Sequence, residues 1–299
     1  MLLVNGVACA WGLLLALTMG TEAVYVKTGE EFPPQYCTVY THMLKAGGSS
    51  IKQKLLIAAR EYGVPKPLFC NQKGASHQAC LDAAPNAAVV TGSNVESMRY
   101  ALNQMGRQCE FFTMMRHPID RAISAFFYCP EDHDVQNRPP EWCGYSDHPT
   151  PVKVRLVGFL KNMWGNKAFR QFSAGLHCSS GLPCSEQQVK RVSELAQNKG
   201  TLKEVEAVMQ TYTAMGIMEY WDLSMQLFDA KVKSPVRVWN EEKHANQGDP
   251  SPLRDEVYRW AHKSPEIHAI LSTDLLLYTY ALSLFKLQTN ETLGTQWVQ

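Results

Sequence analysis

The chain has 299 residues, 45% of them hydrophobic and 19% charged, which excludes a disordered chain and leaves room for one large α/β domain or two small ones. Its formal net charge is +1. No global field therefore draws it to nucleic acid, and affinity for anions must come from a local site.

The first 20 residues carry no charged side chain, and Val7 to Thr18 is almost wholly apolar. Gly20, Thr21 and Ala23 suit signal-peptidase cleavage, while an uncleaved signal anchor is the rival reading, because roughly 20 apolar residues can span a bilayer. The basic region usual at the start of a signal peptide is missing. Residues 1–23 are thus read as signal peptide or anchor and 24–35 as a short polar stem. Either reading places the remainder in an oxidising lumen of the secretory pathway, as a secreted or type II membrane protein. Nine cysteines are present. Setting Cys9 aside leaves an even set, with Cys70 and Cys80, Cys129 and Cys143, and Cys178 and Cys184 close enough in sequence to suggest disulfides. Buried free thiols are the plain alternative. Asn290-Glu291-Thr292 is a glycosylation acceptor sequence.

The run Cys37 to Thr41 is rich in β-formers and reads as a buried strand. It ends in Lys45-Ala46-Gly47-Gly48-Ser49-Ser50, after which Ile51, Leu55, Leu56 and Ala59 repeat with helical spacing. Ala87 to Thr91 is a second strand, followed by a helix start at Gly92-Ser93-Asn94. Phe111 to Met115 is a third, followed by a helix that begins with Pro118 and runs to Tyr128. Cys129 to Pro151 reads as a loop, Val152 to Phe172 as helical, Gly175 to Pro183 as a loop, and Ser185 as a helix start. Thr213 to Met218 is a strand leading to a helix over Trp221 to Ala230, and Val236 to Val238 an edge strand. Glu241 to Pro250 reads as a loop over a site, and Pro252 to Gln288 as mostly helical. Strands alternating with helices argue an α/β fold, a parallel sheet flanked by helices on both faces. Without repeats or linkers, residues 36–288 are read as one domain and 289–299 as a polar tail.

Two segments carry chemistry. Glycines between a strand and a helix let the backbone wrap a phosphate, whose oxygens accept the free N–H groups of the helix start. Ala46, Gly47, Gly48, Ser49 and Ser50 provide that turn and its hydroxyls, and Lys45 provides a positive charge. The lysine precedes the glycines, unlike the nucleotide-triphosphatase loop, which ends in Gly-Lys-Ser/Thr. The second segment is Arg116-His117-Pro118-Ile119-Asp120-Arg121-Ala122-Ile123-Ser124. Arg116 falls just past a strand's carboxyl end, where α/β sheets bind ligands. An arginine fork with a serine hydroxyl suits a phosphate monoester. A tight turn with a solvated lysine, and a capping arginine with a small interior serine, are the plainer readings of each alone.

Together these segments resemble the Golgi-type carbohydrate sulfotransferases. His42 to Ser50 looks like their 5′-phosphosulfate loop, and Arg116 to Ser124 like their 3′-phosphate motif. Met215-Gly216-Ile217-Met218-Glu219 and the helix through Ser224 resemble a segment of the heparan sulfate 2-O and 6-O branches. Asp274-Leu275-Leu276-Leu277-Tyr278 resembles their terminal helix. Leu44 and Ala46 replace the usual Pro and Thr of the loop. The resemblance implies the P-loop-like fold of PAPS-dependent sulfotransferases, 3′-phosphoadenosine 5′-phosphosulfate (PAPS) as co-substrate, no metal, and transfer of a sulfuryl group to a hydroxyl of a glycan. It implies binding of the nucleotide by Lys45 to Ser50, Arg116 and Ser124, with Lys45 also catalytic. The 2-O branch carries a histidine after the second strand, where this chain has Gly92-Ser93-Asn94-Val95-Glu96. The 6-O branch carries its base in a cysteine-rich segment comparable to Cys70 to Cys80. The base is therefore assigned to His77, with Glu96 as runner-up. Lys161, Trp164, Lys167 and Arg170 form a candidate acceptor strip. A nucleotide kinase or triphosphatase and a non-catalytic lumenal PAP(S)-binding module are the competing readings.

Overall fold

The computed structural model describes residues 36–61, 68–70, 80, 82–92, 99, 102, 106–128, 149–177, 199–232 and 251–297. Outside them lie the targeting segment and stem, His77, Glu96, Cys129, Cys143, Cys178, Cys184, the Ser185 helix start, the 236–238 strand and the 241–250 loop.

Strand β1 (Tyr36–Thr41) leads into helix α1 (Gly48–Glu61), whose Ile51, Leu55 and Ala59 are buried at successive turns. Then come β2 (Leu68–Cys70), β3 (Val89–Gly92) and β4 (Gln108–Met115). Helix α2 (Pro118–Tyr128) opens with proline, whose missing N–H costs nothing at that position. Helix α3 (Val152–Phe159) passes into a π-helical turn over Leu160–Trp164, closed by Gly165 N–H donating to the Leu160 carbonyl at 2.7 Å. Helices α4 (Lys167–His177) and α5 (Lys199–Gln210) precede β5 (Ala214–Ile217) and α6 (Trp221–Lys231). The chain ends in α7 (Pro252–Ala261), α8 (Pro265–Ile270) and α9 (Ser272–Leu293).

The five strands form one all-parallel sheet in the order β2-β3-β1-β4-β5. Every residue of β3 and β5 is buried, including those on opposite faces, so both faces of these strands are covered. Beyond the sheet core, Ile119, Ile123 and Phe126 of α2 pack with Leu156, Phe159, Val257, Ile267 and Leu271 in a second apolar cluster. From β1 the chain moves to β2 on one side, and from β4 to β5 on the other. The topological switch therefore falls between β1 and β4, where open α/β sheets take their ligands.

Several expectations change. Strand β2 was not anticipated, and β4 begins at Gln108, three residues before Phe111. The helical stretch from Val152 to Phe172 is broken by the π turn and by Asn166, whose φ is +49°. Pro252 to Gln288 is three helices, because Ser251 and Ser264, each followed by proline, accept the N–H groups of Arg254 and Ile267 as N-caps. The boundary at 288 falls inside α9, which runs to Leu293, and Trp297 packs on Tyr220 and Phe285. Asn290 is exposed on its last turn.

Cys70 and Cys80 lie at disulfide distance, as their spacing suggested. So do Cys37 and Cys109, 72 residues apart, which the sequence did not pair. They face each other directly in the register of β1 on β4, with Cα atoms 4.5 Å apart.

Candidate functional site

The loop after β1 and the turn after β4 meet at the switch point. Lys45 has φ +63°, unusual for a residue with a side chain, and Gly47 has φ +74°. Sparsely populated backbone of this kind tends to cluster where a loop clamps a ligand. Gly47 is required for a second reason, a steric one that it shares with Gly48. A Cβ at Gly47 would come within 2.7 Å of the Trp221 ring and 2.9 Å of Met218 Sδ, and one at Gly48 within 1.8 Å of the His42 imidazole. The loop is thus pressed onto the β5–α6 junction and onto its own incoming residue. Ala46 is buried, Ser50 is 7% exposed, and Ser49 is exposed at the helix start.

Arg116 Nη1 donates to the Lys45 carbonyl at 3.3 Å, so the two predicted motifs touch. Burial pulls the Arg116 pKa below its ordinary value. Asp120 and Glu219 oppose that shift, and Arg254 adds to it. Ser124 is half-buried on α2. It lies one turn after Asp120 and one turn before Tyr128, on the same helix face by i, i+4 spacing. The ring of Tyr128 receives Lys45 Nζ 3.3 Å from its centroid, a cation–π contact. Sequence reasoning missed Tyr128. Its signal was the repeat of polar or aromatic residues at 120, 124 and 128.

The other two quoted segments support this junction from behind. Glu219 Oε1 accepts the His117 amide at 2.8 Å and Oε2 accepts the Tyr278 hydroxyl at 3.0 Å, tying the start of α2 to α9. Ser224 Oγ bonds both the amide and the carbonyl of Ile217, closing the turn after β5. Asp274 is fully buried and accepts from Arg121 Nη2 at 2.6 Å and from the amides of Ala168 and Phe169 at 3.0 and 2.8 Å. One carboxylate therefore neutralises the buried Arg121 and satisfies the first turn of α4.

His42 is buried under the loop, and Gln171 donates to its carbonyl at 2.9 Å. Burial lowers its pKa to about 3, with Lys52 and Lys45 adding to the effect, so the imidazole is neutral.

The proposed acceptor strip does not hold together. Lys161 pairs with Glu266 at 2.7 Å and Trp164 stacks on Phe159, both within the π turn, and Gly165 and Asn166 break the helix between them and Lys167 and Arg170. Arg170 has its pKa lowered by burial, with Asp274 opposing. No metal cluster was visible in the sequence, yet the structure brings together His117, Asp120 and His262. No motif links residues so far apart in the chain. Compared with protein-family models and with curated proteins, the chain matches none.

Proposed function

We propose that this protein is a PAPS-dependent sulfotransferase acting on a hydroxyl of a glycan in the secretory pathway. The observation that carries the reading is the contact between the Lys45 loop and Arg116 across the β1/β4 switch point. There the amides from Gly47 to Ser50 donate to the oxygens of the 5′-phosphosulfate. Arg116 and Ser124 hold the 3′-phosphate. In the reaction the acceptor oxygen bonds to sulfur and the bond from sulfur to the 5′-phosphate oxygen breaks. The sulfate ester and 3′,5′-bisphosphate (PAP) leave, and the acceptor proton passes to a base. Lys45, whose Nζ rests on Tyr128, swings to neutralise the leaving oxygen. The base is assigned to His77, with Glu96 as the alternative. The paired cysteines at disulfide distance fit an oxidising lumen. No helix among the described residues is long and apolar enough to cross a membrane.

The residue after Gly92 is serine rather than histidine, which keeps a non-catalytic nucleotide-binding module as the second reading. Thermal stabilisation by PAP but not by ATP is expected. The kinase reading predicts the reverse. Radiolabelled sulfate transfer to a glycan panel then separates enzyme from binding module. In that assay Lys45→Ala is expected to lower turnover on the order of 100-fold or more with an unchanged melting temperature. Near-normal turnover in this variant would remove Lys45 from the chemistry.

A further inference from the structure

Beside the Arg116 junction, the first turn of α2 meets the turn that follows α7. His262 Nε2 lies 2.6 Å from Asp120 Oδ1, and His117 Nδ1 lies 3.8 Å from the same oxygen. One ligand atom from each of the three residues lies within 4.8 Å of the others. The two imidazoles stack with centroids 5.1 Å apart, which holds both rings at the carboxylate.

Two imidazoles and one carboxylate are a donor set that suits zinc and its neighbours among the divalent transition ions, rather than magnesium or calcium. Zinc bonds of about 2.0–2.2 Å at tetrahedral angles place neighbouring donors ~3.4 Å apart. The separations of 2.6 and 3.8 Å bracket that value. An ion therefore requires the His262 contact to open, and the His117 contact to close, by less than about 1 Å.

The state of His117 adds an independent reason. Its Nδ1 is buried without a hydrogen-bond partner, an arrangement that costs free energy unless something accepts or uses the atom.

The surroundings fix the donors. Tyr258 Oη donates to Asp120 Oδ2 at 3.4 Å, leaving Oδ1 to face the imidazoles. The backbone N–H of His117 is held by Glu219, and His268 Nε2 sits 3.0 Å from the His262 carbonyl. Hydrogen-bonded supports of this kind orient metal ligands. The side chains of His117, Asp120 and His262 are 27%, 14% and 30% exposed, so the cluster borders solvent although His117 Nδ1 itself is buried.

We propose that His117, Asp120 and His262 form a binding site for a divalent transition ion of the zinc class, with three protein ligands and the remaining position open to water. The ion braces the start of α2 against the α7–α8 turn. Nothing in this proposal depends on what the nucleotide junction binds.

The test uses the full chain, kept oxidised so that its cysteines do not compete, and stripped with a chelator. Titration with zinc by calorimetry is expected to show one tight equivalent, and zinc is expected to raise the melting temperature. Cobalt(II) in its place is expected to give the visible bands of a nitrogen- and oxygen-ligated ion without the strong near-ultraviolet absorption of a thiolate complex. His117→Ala, Asp120→Asn and His262→Ala are each expected to weaken binding by at least on the order of 10- to 100-fold. Their melting temperatures in chelator show whether each variant is folded. Absence of a bound equivalent, a thiolate-type cobalt spectrum, or unchanged affinity in the folded variants would each overturn the site. The cluster would then be a hydrogen-bonded His–Asp–His group. PAP binding by the wild-type chain, measured separately, tests the nucleotide junction and not this site.

Discussion

The two arginines near the start of α2 treat charge in opposite ways. On one side Arg121 is buried against Asp274, which spends its oxygens on that guanidinium and on two amides of α4. Apart from Arg121 Nε, which is buried without a partner, that network is closed. On the other side Arg116, five residues earlier, makes a long contact to a backbone carbonyl, with Ser124 two turns further along and Lys45 resting on an aromatic ring. A closed network of this kind builds structure, because desolvated charges must find partners within the protein. The open side gathers two cations at the mouth of a parallel sheet, where the proposed nucleotide would bring its phosphates.

The closed side should break first and hardest. Asp274→Ala leaves Arg121 buried without its counter-charge and uncaps α4. Removing one partner of a buried pair typically costs about 3–5 kcal/mol. Urea unfolding is expected to show that loss, and a cost below about 1 kcal/mol, as for an exposed pair, would mean that water reaches Arg121. The open side should show the opposite behaviour. Arg116→Ala is expected to leave stability nearly unchanged and to weaken PAP binding by roughly 1.5–3 kcal/mol, with Ser124→Ala costing about half as much. Calorimetric titration with PAP checks both. Unchanged affinity in the pair would move the 3′-phosphate elsewhere and leave the open side without its ligand.

How much of this the sequence carried follows from the range of each interaction. Strands β1, β3 and β4 were legible because each is a run of β-formers closed by a local signal, and the Lys45 and Arg116 segments because their residues are neighbours in the chain. Strand β2 has three residues, too few for a pattern to stand out. The Cys37–Cys109 pair was missed because proximity in sequence was used, whereas parallel register decides which cysteines face each other. The breaks within 252–293 were signalled by Ser251-Pro252 and Ser264-Pro265, cap and first-turn residues that the apolar periodicity obscured. Glu219 and Asp274 were noticed as parts of motifs. That one anchors the start of α2 and the other its buried arginine depends on contacts across 102 and 153 residues, which no local pattern encodes. The His117–Asp120–His262 cluster is illegible for the same reason.

One group on the open side follows the logic of the closed one, and it yields the smallest effect. His42 lies beneath the glycine loop, its ring where a Gly48 side chain would stand, with Lys52 and Lys45 as the cations that press on it. Burial and those charges hold its pKa at about 3 in the fold, against about 6.5 in an unfolded chain. The folded pKa is the lower one, so the unfolded state binds the extra proton. The contribution of neutral His42 to stability is complete above about pH 6.5 and is lost progressively as the pH falls toward the folded value. Between about pH 7 and about pH 6 the loss amounts to about 0.7 kcal/mol. Comparing urea unfolding of the wild type with His42→Gln isolates it, since the other histidines titrate in both. The wild type should lose stability faster over that range by about this amount. Parallel pH profiles would show that His42 is hydrated in solution and that the floor of the loop is as open as its mouth.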